Sequence, residues 1–388
     1  MFKTSKIFRT ALAPMIISSS TAALGIDFFD DRVNFSGFGT VSGVQTNSNE
    51  GEYRREQQGK GADKSAYFLS DSNLGLQLTG KATSWLSATV QSLTEVRYTE
   101  DELSTRAEWA FIKVTPIEGL SIRAGKFALP NFLISDSRKV GYANTWARPA
   151  NEVYGLDLLN GGLEGGDISY RIPVSDYSLT ATLLGGKSAF TDTDFFTGKA
   201  NQRDVNNVKA LNLVWDGDWY TLRLGHLRGN PDLNPIFAIF FPDRDVSKEM
   251  YKFSGFGFTM DYNDIVVQGE AVQRRSSTSN DLIASDGQYI MGGYRIDTFL
   301  PYLQYSTRKA AEKSGVAPQK NIAVGLRWDA FSSAAIKFQI EHIDTKDTTG
   351  ASFKNRTTTI LFPGGSFEQA LPLTKPVTTF TTSIDFVF

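Results

Sequence analysis

The sequence has no cysteine. This excludes a disulfide framework and any thiolate metal site. It also suits export to an oxidising compartment, where a free thiol mispairs. Histidine is almost absent: His226 and His342 are the only two. Neither sits in a recognisable pattern beside a serine or an acid, as hydrolase chemistry requires. There is no phosphate-binding glycine loop and no His/carboxylate cluster at metal-ligand spacing. No catalytic residue, cofactor or metal is expected, and the chain is not read as an enzyme. A net charge of −2 leaves no global basic footprint for nucleic acid, and Arg274 with Arg275 is too short a basic run to make one. No apolar run reaches the ~18 residues that a transmembrane helix needs.

The N-terminus has its own composition. Lys3, Lys6 and Arg9 precede an apolar stretch, residues 11–17, and then small residues, 18–23. No acidic residue appears before Asp27. This order reads as a secretory signal peptide over 1–25, cut somewhere in 22–25, with a single domain over 26–388.

The 388 residues would ordinarily make two or three soluble domains. Their pattern argues otherwise. Segments of about ten residues alternate in polarity and are joined in turn by very short turns and long polar loops, as in transmembrane β-barrels. Leu74, Leu76 and Leu78 share one strand face. Phe256, Phe258, Met260 and Tyr262 share another. Ile336, Phe338 and Ile340 oppose Lys337, Gln339 and Glu341. Near the end, Phe380, Thr382, Ile384, Phe386 and Phe388 oppose Thr379, Thr381, Ser383 and Asp385. Lipid offers no hydrogen bonds to a free strand edge, so a spanning sheet must close. The reading is an all-β, 16-stranded antiparallel transmembrane β-barrel. Trp85, Trp219, Tyr262 and Trp328 are placed for an interfacial girdle. Asp216-Gly217-Asp218 reads as a tight turn with Gly217 at positive φ. The strands before and after the long connection that precedes this hairpin are expected to end at Lys187 and to resume at Val208.

One segment fits neither period. Residues 128–160 mix apolar, aromatic and charged side chains with Pro130, Gly141, Pro149 and Gly155. Loops this long inside a compact domain are uncommon and usually functional. Counting connections makes it the third long loop, folded into the lumen, with one side on the wall and the other in water. Its charges are Asp136, Arg138, Lys139, Arg148, Glu152 and Asp157. Inward wall candidates are Arg97, Arg123, Arg223, Arg295, Arg308, Arg327 and Lys337, with Glu95, Glu270 and Glu341. Basic groups are in excess, and charged rings select ions by sign, so a weak anion preference is expected. The fifth long loop holds an apolar stretch, Ile236 to Phe241, expected to pack internally.

The signal peptide, the early strand Asn73 to Leu78, the long third loop and the terminal Phe388 resemble the general porins of Gram-negative bacteria. Residues 133–146 with Arg148 and Pro149 resemble more specifically porin-like outer-membrane proteins of gammaproteobacteria. The resemblance implies a trimer in the outer membrane, with the third loop as constriction. It also implies that Phe388 is read by the barrel assembly machinery. There are departures. Many general porins carry Pro-Glu-Phe-Gly-Gly in the third loop, whereas Phe132 is here followed by Leu133. The second loop, 99–105, is short for a latch on a neighbour. The expected function is passive diffusion of small hydrophilic solutes and ions. The alternatives are a substrate-specific channel for phosphate or carboxylates, a barrel hydrolase, and an adhesin or receptor.

Overall fold

The computed structural model describes residues 25–388 except 56–57, 98–99, 160, 194–199, 233–248, 278–282, 312–315 and 363–364. The proposed signal peptide, up to residue 24, and the apolar stretch Ile236 to Phe241 lie outside the described residues.

Among the described residues, sixteen long strands form one ring. They are β1 (Val33–Thr46), β2 (Asn73–Lys81), β3 (Leu86–Glu95), β4 (Ser104–Val114), β5 (Leu120–Phe127), β6 (Leu163–Val174), β7 (Tyr177–Thr193) and β8 (Ala200–Asp216). They continue with β9 (Tyr220–Pro231), β10 (Tyr251–Tyr262), β11 (Ile265–Ser276), β12 (Ser285–Tyr294), β13 (Phe299–Ala310), β14 (Gln319–Phe331), β15 (Ala334–Asp344) and β16 (Val377–Val387). Each pairs antiparallel with its sequence neighbours. β1 pairs with both β2 and β16, so the sheet closes and leaves no edge among them.

The period-two pattern sets which face looks out. On β16, Phe380 and Ile384 are 48% and 47% exposed, whereas Thr379 and Asp385 are 0% and 1% exposed. On β15, Phe338 and Ile340 are exposed, while Lys337, Gln339 and Glu341 are buried. The apolar set therefore faces lipid and the polar set faces the interior, because lipid does not solvate a charge. Trp85, Trp219, Tyr262 and Trp328 are exposed beside the short turns. Trp219 and Tyr262 lie 5.4 Å apart, and Trp328 stacks on Phe299 at 5.8 Å.

Two expectations need correction. Gly217 does not adopt a positive φ. Its small size is needed instead, because a Cβ there would run into the Tyr220 ring. Residues 188–193 and 200–207, expected as loop, extend the β7–β8 hairpin. A bulge between Val205 and Val208 absorbs Asn207 at φ 52° and lets the ladder continue. The last long loop carries short strands of its own: Phe353–Asn355 pairs with Gly51–Tyr53, and Thr357–Phe362 with Gly365–Ala370.

The seam is closed by the chain terminus. The Phe388 N–H donates to the Gly37 carbonyl at 3.0 Å, and the Gly37 N–H to Phe388 at 2.8 Å. The Phe388 ring lies over Gly37, where a side chain would collide with it.

Candidate functional site

The third loop runs from β5 to β6. Among its described residues the regular pieces are a single 3-10 turn, Gly141–Ala143, and a one-turn helix, Asn151–Tyr154. Its apolar side packs on the interior of the wall. Phe132 meets Phe253 of β10 and Tyr154 at 5.1 Å each, and Trp146 meets Tyr289 of β12 edge-on at 5.5 Å. The hydroxyls of Tyr154 and Tyr289 are 3.0 Å apart and satisfy each other, whereas the buried Trp146 Nε1–H has no hydrogen-bond partner among the described residues.

A loop against an inner wall exposes carbonyl oxygens that no sheet partner satisfies, and buried ones need donors. Basic wall residues supply them. Arg223 of β9 donates to the carbonyls of Pro130 and Asn131. Arg274 of β11 donates to Leu156 at 3.0 Å. Arg327 of β14 donates to Tyr142 and Asn144, each at 2.8 Å. Lys337 of β15 donates to Gly141 at 2.7 Å and Trp146 at 3.1 Å, and pairs with Asp385 at 3.0 Å. Wall acceptors serve the loop N–H groups. Glu270 accepts from Leu133 at 2.8 Å, and Gln339 accepts from Ala147 and Arg148 at 3.1 Å. The loop thus bonds to the inward faces of β9, β11, β14 and β15. The Tyr142 hydroxyl reaches the carbonyl of Ser332, in the short β14–β15 turn.

The loop charges divide into anchors and lumen-side groups. Arg148 is 2% exposed. Its guanidinium grips Asp71 of the first long loop at 2.9 and 3.1 Å, bonds Ser70 at 2.9 Å and lies 4.1 Å from the Tyr53 ring centre. Burial works against its charge, but Asp71 outweighs this and holds its pKa above the ordinary arginine value. Glu152 is fully buried and accepts from Ser306 of β13 at 2.7 Å and Gln319 of β14 at 2.5 Å. Arg138 pairs with Asp157 at 3.1 Å. Lys139 pairs with Glu95 at 3.0 Å. Glu95 is a hub, also met by Arg55 at 3.2 Å, Arg97 at 2.7 Å and Arg106 at 3.4 Å. Burial pushes the Asp136 carboxyl above its usual range, while nearby Arg123 pulls the other way.

The remaining expected wall residues sit as follows. Arg123 pairs with Asp167 of β6, at 3.0 Å from its Nε. Arg308 bonds Ser285 at 3.3 Å and lies in the field of Glu152. Arg295 stands just beyond β12 at the short-turn end, paired with Asp261 at 2.8 Å. Glu341 accepts from Tyr53 at 3.1 Å, Asn321 at 2.8 Å and Thr379 at 3.1 Å. Lys113 of β4, which the sequence reading passed over, is the direct ladder partner of Arg123. It has no hydrogen bond or ion pair among the described residues. Sequence reasoning also missed Asp71, Arg55, Tyr53 and Gln339 as loop partners, and Asp385 as the counter-ion of Lys337. Strand alternation marked Asp385 and Gln339 as inward. Nothing marked the first-loop residues.

Both histidines are exposed. His226 lies 2.9 Å from Ser254, and His342 3.4 Å from Thr378. Among the described residues no group of three potential metal ligands occurs.

No family model and no curated protein matches the sequence. Solved structures do match in fold. OmpF of Salmonella typhi, in complex with daunomycin, matches with a TM-score of 0.59 and 12% identity, over 94% of this chain and all of that one. An anion-selective porin from Comamonas acidovorans gives 0.54 and 11%, over 92% and 99%. The trimer form of OmpT, an outer membrane protein of Vibrio cholerae, gives 0.53 and 11%, over 92% and 99%. The chain therefore has the 16-stranded fold of Gram-negative outer-membrane porins.

Proposed function

We propose that the protein is an outer-membrane porin, a passive aqueous channel for small hydrophilic solutes and ions, constricted by its third loop. The observation that carries this reading is the set of wall cations bonded to loop carbonyls. A loop held by Arg223, Arg274, Arg327 and Lys337 against β9–β15 leaves its Asp136, Arg138 and Lys139 side towards β3–β6. Solutes pass between that side and the inward groups of β3–β6. Arg97, Arg106, Lys113, Arg123, Arg138 and Lys139 there stand against Glu95, Glu108, Asp136, Asp157 and Asp167. The small basic excess supports a weak anion preference, since a low-dielectric lumen focuses the field of its charges. Arg223, Arg327 and Lys337 contribute less than their number suggests, because they are occupied in holding the loop.

The porin assembles as a homotrimer in lipid, and Phe388 serves as the signal read by the assembly machinery. No enzymatic step is assigned to it. A substrate-specific channel for phosphate or carboxylates is the second reading. It is favoured by the convergence of Arg54, Arg55, Arg138 and Arg148 on one narrow cleft of about 10 Å³, which holds no more than a water, so that an anion would bind at its mouth.

Planar-bilayer recording of the refolded protein tests this. Stable open conductance with a reversal potential favouring anions is expected. Arg138→Gln with Lys139→Gln shifts that potential towards cations. Low conductance blocked by phosphate supports the second reading instead. Folded protein without conductance refutes both.

A further inference from the structure

A row of basic side chains crosses the outer face of β8–β11. Lys209 stands directly opposite Arg228, Arg228 opposite Lys252, and Lys252 opposite Arg275. Like charges placed directly opposite one another destabilise a sheet. Near other loop ends the ladder alternates sign: Glu164 opposes Lys187, 3.3 Å away, and Lys320 opposes Asp344. Arg275 pairs with Asp286 at 2.8 Å. Lys209, Arg228 and Lys252 have neither ion pair nor hydrogen bond among the described residues.

The row looks outwards. On β9, Arg228 shares a face with Leu222 and Leu224, which are 40% and 56% exposed. Arg228 lies nine positions beyond Trp219 of the girdle. At ~3.4 Å per residue and a tilt of ~40°, that is ~23 Å along the membrane normal, near the far edge of an apolar band ~25 Å tall. The row therefore sits where phosphate headgroups meet the barrel.

Beneath it the apolar band is interrupted. The next layer of the ladder runs Leu211, His226, Ser254, Gln273, and the one below it Leu213, Leu224, Phe256, Ala271. These two layers, with Asp286, Gln288 and Lys309 of the next two strands, line an open recess of about 710 Å³, and the Asp286 carboxylate is matched by Arg275 and stands opposite Lys309. Going down the wall, the chemistry passes from cationic to polar to apolar, the order of groups in a phosphorylated lipid.

We propose that this face binds an outer-leaflet lipid whose headgroup carries phosphate with a net negative charge, not balanced by a cation of its own. The phosphate rests on Lys209, Arg228 and Lys252, and the start of an acyl chain lies in the recess. The unmatched like charges of the row are neutralised by this ligand. A second copy of the chain does not satisfy them, since it brings the same positive row. The proposal rests on the barrel spanning a membrane, not on its conducting solutes.

The test uses the full refolded barrel in phosphatidylcholine nanodiscs doped with phosphatidic acid, and reads retained lipid by native mass spectrometry. Retention of phosphatidic acid over phosphatidylcholine is expected at about a hundredfold, on the order of what three basic groups give at a membrane surface. The K209Q/R228Q/K252Q variant should lose that preference. Ala271→Trp, which fills the recess and leaves every charge in place, should also lower retention. Equal retention by the parent and the triple variant overturns the proposal. So does displacement of the lipid by inorganic phosphate with Ala271→Trp silent, which would mark a free-anion site. A lowered oligomer mass in Ala271→Trp with unchanged lipid would assign the face to a second copy and also overturn it. Heat-modifiable gel mobility reports folding of each variant. Bilayer conductance, recorded in parallel, tests the channel reading separately.

Discussion

Lys337 Nζ donates to the carbonyl oxygen of Gly141 at 2.7 Å and so ties the middle of β15 to the single 3-10 turn of the third loop. The same ammonium reaches the Trp146 carbonyl and Asp385, so its three protons have three acceptors. Lys337→Met keeps the length and removes the charge. Asp385 is then left with the hydroxyls of Thr40 and Ser383. Breaking a buried pair by removing one partner costs roughly 3–5 kcal/mol. A lower denaturant midpoint is expected in micelles, together with a larger and noisier single-channel current as the loop loosens. Unchanged current and midpoint would mean that the lysine does not hold the loop.

Gly141 tests the same joint from the loop side. A methyl group there would overlap the Asp385 carboxylate and the Thr40 hydroxyl. Gly141→Ala should therefore push the turn off β1 and β16 and raise conductance, although every charge is kept. In a double variant with Lys337→Met the two effects should fall short of additive, since both break one contact. Full additivity of the conductance changes would show two unrelated causes.

Arg148 makes a different prediction, because its geometry matters as well as its charge. It grips both oxygens of Asp71, bonds Ser70 and lies over the Tyr53 ring. Lysine keeps the charge and loses the planar fork. Arg148→Lys should lose roughly half the stability that Arg148→Met loses, within the ~3–5 kcal/mol expected for a broken buried pair. Limited proteolysis should cut both the first and third loops faster in each variant. Faster cleavage of the third loop alone would separate the two loops.

The barrel was legible because lipid enforces period two. Lys337, Gln339 and Glu341 cannot face hydrocarbon, so alternation alone placed them inside. The third loop was legible as a loop, because residues 128–160 fit no period. The use of each charge was not. Arg223 and Lys337 read as inward wall charges that set ion preference, yet they bond backbone carbonyls that carry no sequence signature. The partners Asp71 and Tyr53 come from the first long loop, and Arg148 meets them 77 and 95 residues away in sequence, where local pattern says nothing. Gly217 was misread for a related reason. Glycine signals both positive φ and close approach, and only the Tyr220 ring decides between them.

On the proposed reading of the third loop as constriction, Asp136 should give the channel a pH dependence of predictable sign. Its carboxyl is raised above the usual range by burial, against the pull of Arg123 and Arg223 and with the push of Asp167. As pH falls, it takes up its proton above the ~3.9 of a free aspartate. The passage then loses one negative charge, and the reversal potential should move further towards anions. In the Asp136→Asn variant that step should be absent and the stronger anion preference already present at neutral pH. Stability follows the same linkage. A raised folded pKa favours the folded state below the unfolded pKa, and that contribution is lost as pH rises through the folded value. Asp136→Asn should therefore unfold at a higher denaturant concentration than the parent at pH 7, with the gap closing below about pH 3.9. A gap that persists at low pH would assign the gain to packing, and a reversal potential that titrates identically in both proteins would place Asp136 away from the path of the ions.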